Sequence, residues 1–286
     1  MIEYFCWCCE YNNTSGEGLL GKKFINKYFK NKKIKILLPK KKIFFKDYIY
    51  PYMGIIILWF YYFKGKKIIY LNYLPLWNFL LFILCPPKTI FGPITGSIQI
   101  NKINSLKSII RYFLFPYFYK LSLIFLNIRC KKIIFATNIL KKYLNKKILK
   151  KSLLNFVLSD FKINKSKIKK KYDLIIYFRR HENKFFEHHF KFIKNFITKN
   201  KKVIVVGDKL NIKGIEHFGR VNKIYLNKLI QKSKYSLSGD DNLLSIFNID
   251  CLKFNVKIIY NNKLNFQIPY YLKKNFISHN YKNRIY

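Results

Sequence analysis

Residues 173–207 read DLIIYFRRHENKFFEHHFKFIKNFITKNKKVIVVG, and the order of residue types within them decides the fold class. Asp173–Phe178 is a short apolar run rich in Ile and aromatics, the composition of a buried strand. Lys184–Lys199 has the length of a helix, and Lys202–Gly207 is a second apolar run that ends on glycine. Two apolar strands joined through a helix form a βαβ unit, with parallel strands and a right-handed crossover. Cations follow the first strand directly: Arg179, Arg180 and, five residues after Arg179, Lys184. At the carboxyl edge of a parallel sheet such side chains face the crevice where ligands bind. Arg is scarce in this Lys-rich chain, so two adjacent Arg carry more information than any single Lys.

The alternation extends in both directions. Downstream, strand Ile215–Phe218, helix Lys223–Lys232, strand Tyr235–Ser238, helix Asn242–Phe254 and strand Val256–Tyr260 follow one another. Upstream, strand Ile2–Cys9 runs through a glycine-containing loop into helix Leu19–Phe29. Strand Ile34–Leu38, a buried strand within 53–63 (MGIIILWFYYF), strand Lys67–Asn72, a helix around Pro75–Leu84 and strand Lys88–Phe91 come next. A single long helical region spans 104–127, before strand Lys132–Thr137, a short helix Ile139–Leu144 and strand-like Asn155–Leu158. The charged stretch Lys162–Lys171 (KINKSKIKKK) reads as a linker. The expected fold is α/β, two Rossmann-like domains facing each other across a cleft: residues 1–165, then 170–262, with a tail at 263–286 packing back on the first domain.

Composition bounds the function classes. Of 286 residues, 50% are hydrophobic and 19% aromatic, so the chain has material for real cores and is not a basic disordered tail. The formal net charge is +43. Lys, Asn, Ile, Phe and Tyr dominate and Ala136 is the single alanine, the signature of A/T-rich codons, so mutational bias supplies much of the charge. The remainder suits anionic partners: phosphates, anionic lipid or nucleic acid. Cys6, Cys8, Cys9, Cys85, Cys130 and Cys251 lack metal-ligand spacing and read as free thiols in a reducing compartment. The N-terminus lacks the pattern of a signal peptide, and 53–63 and 76–87 are too short to span a bilayer.

Three places carry candidate chemistry. The loop Ser15-Gly16-Glu17-Gly18 joins the first strand to the first helix, where glycines and a helix N-terminus suit an anion; a plain tight turn accounts for it equally. Arg179 and Lys184 suit a diphosphate, one as a planar fork and the other as a point charge. The segment Ser238–Cys251 runs from a strand end into a helix and holds Asp240, Asp241 and Asp250 in a chain with 13 acids. Asp240 or Asp241 is expected to cap that helix, and Asn255 to close it in a left-handed conformation.

In this order the elements resemble the nucleotide-binding half of group 1 glycosyltransferases, which have the GT-B fold. Arg179 and Lys184 keep that family's Arg-to-Lys spacing, with Phe178 and Phe185 where it has glycines. Val203–Asp208 matches its Val-Gly-Asp, and Phe218-Gly219-Arg220-Val221 its Gly-x-Val. Asp241-Asn242 stands for its Glu-Gly, and Asp250 falls nine residues on instead of eight. Asn255-Val256-Lys257-Ile258-Ile259 replaces its Gly-x-Pro-Val-Ile. The first half is similar in layout, with Lys88–Gly96 where the family has a strand ending near His-Gly.

The resemblance implies a cytoplasmic, metal-independent glycosyltransferase of hexosyltransferase type, peripherally bound to the inner face of the cell membrane. Its substrates are a nucleotide-diphosphate sugar and a glycan or lipid-linked acceptor in cell-surface polysaccharide or lipopolysaccharide synthesis, and no cofactor is implied. Arg179 and Lys184 then hold the diphosphate, the amides of Asn242, Leu243 and Leu244 the distal phosphate, Asp250 the ribose and Asp241 the donor sugar. Glu17, flanked by Gly16 and Gly18, becomes the base on the acceptor hydroxyl. Two alternatives stay open: a nucleic-acid-binding protein, suggested by the charge, and a sugar-nucleotide epimerase of the same fold.

Overall fold

The computed structural model describes residues 2–13, 15–39, 46–96, 106–164, 168–180 and 188–279, and the chain divides into two units, Met1–Val157 and Leu158–Tyr286. In the first, β1 (Tyr4–Trp7), α1 (Gly16–Tyr28), β2 (Ile34–Leu37), α2 (Lys46–Phe63), β3 (Lys67–Tyr70), α3 (Phe79–Leu84) and β4 (Ile90–Phe91) alternate. They are followed by α4 (Leu106–Phe113), α5 (Phe115–Arg129), β5 (Ile133–Ile134), α6 (Lys146–Lys150) and β6 (Ser152–Leu153). Four strands pair in parallel in the order β2-β1-β3-β4. A parallel bridge between Ile94 and Phe135 leads on to the β5-β6 pair.

The two-residue period of the strands sorts their side chains into two cores. Trp7, Ile68 and Tyr70 pack with Leu58 of α2, Phe82 of α3 and Leu126 of α5. Cys6, Ile69 and Leu71 point the other way, onto Leu20, Phe24 and Ile25 of α1. The result is a helix–sheet–helix sandwich. Gly54 of α2 lets that helix close on the sheet, because a Cβ there would stand 2.2 Å from the Trp7 ring.

The second unit holds β7 (Tyr172–Phe178), α7 (His188–Thr198), β8 (Val203–Gly207), β9 (Glu216–His217) and α8 (Lys223–Gln231). β10 (Ser233–Leu237), α9 (Ile246–Lys253), β11 (Lys257–Asn261) and β12 (Phe276–His279) complete it. All six strands are parallel, in the order β9-β8-β7-β10-β11-β12. Counted within the unit this is 3-2-1-4-5-6, the Rossmann order. Leu174, Ile176, Val203 and Val205 pack against Phe192 and Ile193 of α7, while Ile175, Ile204 and Ile258, on the opposite face, are also buried.

Three sequence expectations change. The run 53–63 belongs to α2 and is not a strand, since Tyr50, Ile55 and Leu58 cover the sheet while Ile56, Phe60 and Phe63 are exposed. With apolar residues on both faces, the helical period is invisible in the sequence. Of the region 104–127, the described residues from Leu106 form two helices, broken at Leu114 before Pro116, which enters the first turn of α5. Phe156–Leu158 is a 3-10 turn and not a strand. Within the segment after 262, Phe276–His279 forms β12, which pairs in parallel with β11 as an edge strand of the second unit's sheet.

Candidate functional site

In each sheet the chain leaves the first strand for one side and later crosses to the other. Adjacent loops then part at the carboxyl edge and open a crevice, where ligands of open α/β sheets bind. In the second unit this point lies between β7 and β10. Arg179, just past β7, meets Gly239, Asp241 and Asn242, just past β10, around a pocket that Tyr177, Ser245 and Phe247 also line. Tyr177 and Phe247 stack with ring centroids 5.5 Å apart.

Asn248, which also lines the pocket, belongs to a buried polar network beside it. Asn248 Nδ2 donates to Ser238 Oγ at 2.9 Å and to the Leu243 carbonyl at 3.1 Å. Asp240 turns inward, its Oδ1 accepting from Asn261 Nδ2 at 3.2 Å and lying 3.4 Å from Nε2 of the buried His189. Beside Arg179, Asp208 pins the loop after β7. It accepts the Arg180 N–H at 2.8 Å and two bonds from the Arg220 guanidinium, at 2.9 and 3.2 Å. The Arg180 amide and Arg220 hold the Asp208 carboxyl below its ordinary range.

Other residues expected at this site are engaged elsewhere. α9 begins at Ile246, capped by Ser245, whose Oγ accepts the Asn248 N–H at 3.3 Å; neither Asp240 nor Asp241 is the cap. The Leu243 amide donates to Gln267 Oε1 at 2.9 Å and the Leu244 amide to Asn242 Oδ1 at 2.9 Å, so both are already matched. Asp250 is buried on α9 and ion-paired with Lys223 of α8 and with Lys253, the latter at 3.4 Å. Burial, reinforced by the charge of Lys253, lowers the Lys223 pKa to about 8. Asn255 is left-handed, with φ of 55°. Lys184 lies outside the described residues.

In the first unit the switch point lies between β1 and β3, and a second polar centre occupies it. Asn72, past β3, bonds three backbone groups: its Oδ1 accepts the Cys9 N–H at 2.9 Å, and its Nδ2 donates to the Glu10 carbonyl at 2.5 Å and the Glu17 carbonyl at 3.4 Å. Tyr73, with φ of 58°, donates its N–H to Glu17 Oε2 at 3.4 Å and its hydroxyl to Glu10 Oε1 at 3.2 Å. Burial pushes the Glu17 pKa up to about 7 and the neighbouring Glu10 adds to this, against the Tyr73 N–H. A carboxyl poised there accepts or gives a proton at neutral pH.

The glycines flanking Glu17 have other work. The Gly18 amide donates to Ser15 Oγ, the cap of α1, at 3.0 Å, and a Cβ at Gly18 would stand 2.8 Å from the Asn12 backbone. Gly16 is exposed in the first turn of the same helix. Asn72, Tyr73, Glu10 and Asp208 are absent from the sequence-derived set of site residues. The signal for Asp208 was its place after Val-Gly; for the others there was none short of knowing the strand pairing.

No protein-family model and no curated protein matches the chain. Solved structures do. S. aureus MnaA in complex with UDP is similar at 13% identity with a TM-score of 0.51, over 90% of this chain and 79% of that one. A protein from Listeria monocytogenes assigned as a UDP-N-acetylglucosamine 2-epimerase is similar at 9% identity with a TM-score of 0.50, over 98% and 85%. A glycosyltransferase from Rickettsia africae ESF-5 gives 13% identity and a TM-score of 0.49, over 91% and 79%. At such identity the likeness is one of fold. That fold is GT-B-like, built from two Rossmann-like units and carried here by a divergent sequence.

Proposed function

We propose that the chain is a glycosyltransferase that moves a hexose-type sugar from a nucleoside-diphosphate sugar to a hydroxyl of a glycan or lipid-linked acceptor. One observation carries the reading: the switch point of the second sheet gathers Arg179, Asp241 and Asn242 around a pocket. Arg179 meets the diphosphate and neutralises the charge that grows on it as the glycosidic bond breaks. Asp241 receives donor-sugar hydroxyls, and Lys184 adds a second cation to the diphosphate. Tyr177 and Phe247 offer an aromatic wall to the nucleoside. In the first unit Glu17 takes the proton of the acceptor hydroxyl, and its pKa of about 7 suits that step. Fixed cations perform the electrostatic work at the leaving group, so transfer proceeds in the presence of a chelator. An assay with a labelled donor sugar and EDTA tests this, and loss of transfer on chelation contradicts it.

A sugar-nucleotide epimerase is the second reading, supported by the likeness in fold to the Listeria protein. Product analysis without acceptor separates the two. An epimerase converts the donor sugar alone, whereas a transferase leaves it intact or hydrolyses it slowly.

A further inference from the structure

One pocket of the first unit belongs to neither polar centre. It lies where α4 meets α5, beside the 3-10 turn Ile139–Tyr143 that follows β5. Its volume is about 420 Å³, within the range of about 300–1,000 Å³ typical of small-ligand sites. Arg111, Lys120 and Lys142 line it together with Tyr112, Tyr117 and Tyr143. None of the described lining residues is acidic, and the chain holds no acid anywhere between Asp47 and Asp160.

The rings stand open, each placed by its neighbours. Tyr112 and Tyr117 are 53% and 65% exposed, so the core does not account for them. Tyr143 is held edge-on against the buried Tyr119, with ring centroids 4.8 Å apart. Two of the cations flank rings: Lys142 Nζ lies 5.0 Å from the centroid of Tyr143, and Lys120 Nζ 5.9 Å from that of Tyr117.

The pocket shares an edge of the sheet with Glu17. α5 ends at Arg129, just before β5 begins, so its first turn lies at the carboxyl edge, and the turn after β5 leaves from that edge too. Tyr73 donates its N–H to Glu17, and the chain just after it is fastened to α5. Ser122 Oγ–H of α5 donates to the Leu76 carbonyl, and Trp77 stacks on Phe115 with ring centroids 5.4 Å apart.

We propose that this pocket binds an acidic sugar of the acceptor, a pyranose ring that bears a carboxylate or a phosphate. The electron-rich faces of the tyrosines meet the polarised C–H groups of the ring. Arg111 grips the anionic group as a fork, and Lys120 and Lys142 add point charges. The inference rests on the transferase reading and narrows its acceptor to an anionic glycan. A single-stranded nucleic acid also stacks on aromatics, but it needs a groove that tracks its backbone over several nucleotides, and this is one compact pocket.

Calorimetric titration of the full chain at physiological salt tests it, with trigalacturonate, a phosphorylated maltotriose, maltotriose and an oligothymidylate as probes. The first two probes tell a carboxylate from a phosphate. One variant, Tyr112→Ala with Tyr117→Ala, removes two exposed rings and keeps every charge. A second, Lys120→Gln with Lys142→Gln, keeps the rings. Lys263→Gln with Lys274→Gln, exposed positions of the second unit, removes the same charge elsewhere and serves as the control. At least one acidic sugar binds the wild type and the control alike, and binds both pocket variants roughly tenfold more weakly; maltotriose binds the wild type more weakly than that sugar does. Equal losses in the control and the second variant overturn the proposal, since net charge alone then drives binding. So does full affinity without the tyrosines, a wild type that binds neither acidic sugar, or an oligothymidylate that binds more tightly than both. Stabilisation by nucleoside diphosphates, read on the same samples, reports on the Arg179 pocket. Its absence contradicts the transferase reading, whereas loss of sugar binding contradicts this one.

Discussion

Glu17 carries both a stability cost and a chemical capacity, and the two have opposite pH signatures. Its folded-state pKa of about 7 lies above the ordinary value of 4.5, so the folded protein holds this proton more tightly than the unfolded chain. The stability this contributes is present at low pH and is lost as pH rises from the unfolded value through about 7. At pH 8 the ionised group costs up to ~3 kcal/mol. Glu17→Gln is therefore expected to raise the urea midpoint at pH 8 and to change it little at pH 4. Transfer by the wild type rises with pH through about 7. Glu17→Gln removes that limb and lowers kcat by roughly two orders of magnitude or more. An unchanged pH–rate profile in the variant contradicts the assignment. Glu17 itself was legible in the sequence, in a glycine-flanked loop before a helix. Glu10 and Tyr73 were not: they stand 63 residues apart and meet only because β1 pairs with β3.

At the scale of elements, legibility follows contrast between faces. β7, β8 and β11 are apolar runs bounded by Lys and Asn, so they could be read, as could the left-handed Asn255, whereas β12 lies in the segment read as a tail. The start of α9 could not, because Asp240, Asp241 and Ser245 are all competent caps and the choice rests on distant groups. Asp240 is drawn inward by Asn261 and His189, which leaves Ser245 to cap. Asp250, inside α9, is paired with Lys223 of α8, and the sequence says nothing of that pairing. α2 failed for the opposite reason, since it is apolar on the sheet side and on the outer side alike. Its contact with β1 makes a sharp prediction. Gly54→Ala forces a methyl group into the Trp7 ring and is expected to destabilise the protein by about 1–3 kcal/mol. The measurement is the shift of the denaturant midpoint at constant slope, and a neutral result contradicts the packing described.

Over the whole molecule, two parallel sheets repeat one device: a polar centre where adjacent loops part at the carboxyl edge. Arg179 with Asp241 and Asn242 holds that place in the second sheet, and Glu10, Glu17 and Tyr73 hold it in the first. The chain's charge is less informative, because Lys is spread over both units while Arg179 is fixed at one pocket. The most direct test is thermal stabilisation by a panel of nucleoside diphosphates in EDTA, applied to the wild type, Arg179→Ala and Arg180→Ala. At saturating ligand, at least one diphosphate raises the wild-type midpoint by several degrees. Arg180→Ala keeps that rise, because the backbone N–H of Arg180, and not its side chain, holds Asp208. Arg179→Ala loses most of it. A panel without effect, or equal losses in the two variants, contradicts a nucleotide site at the switch point of the second sheet.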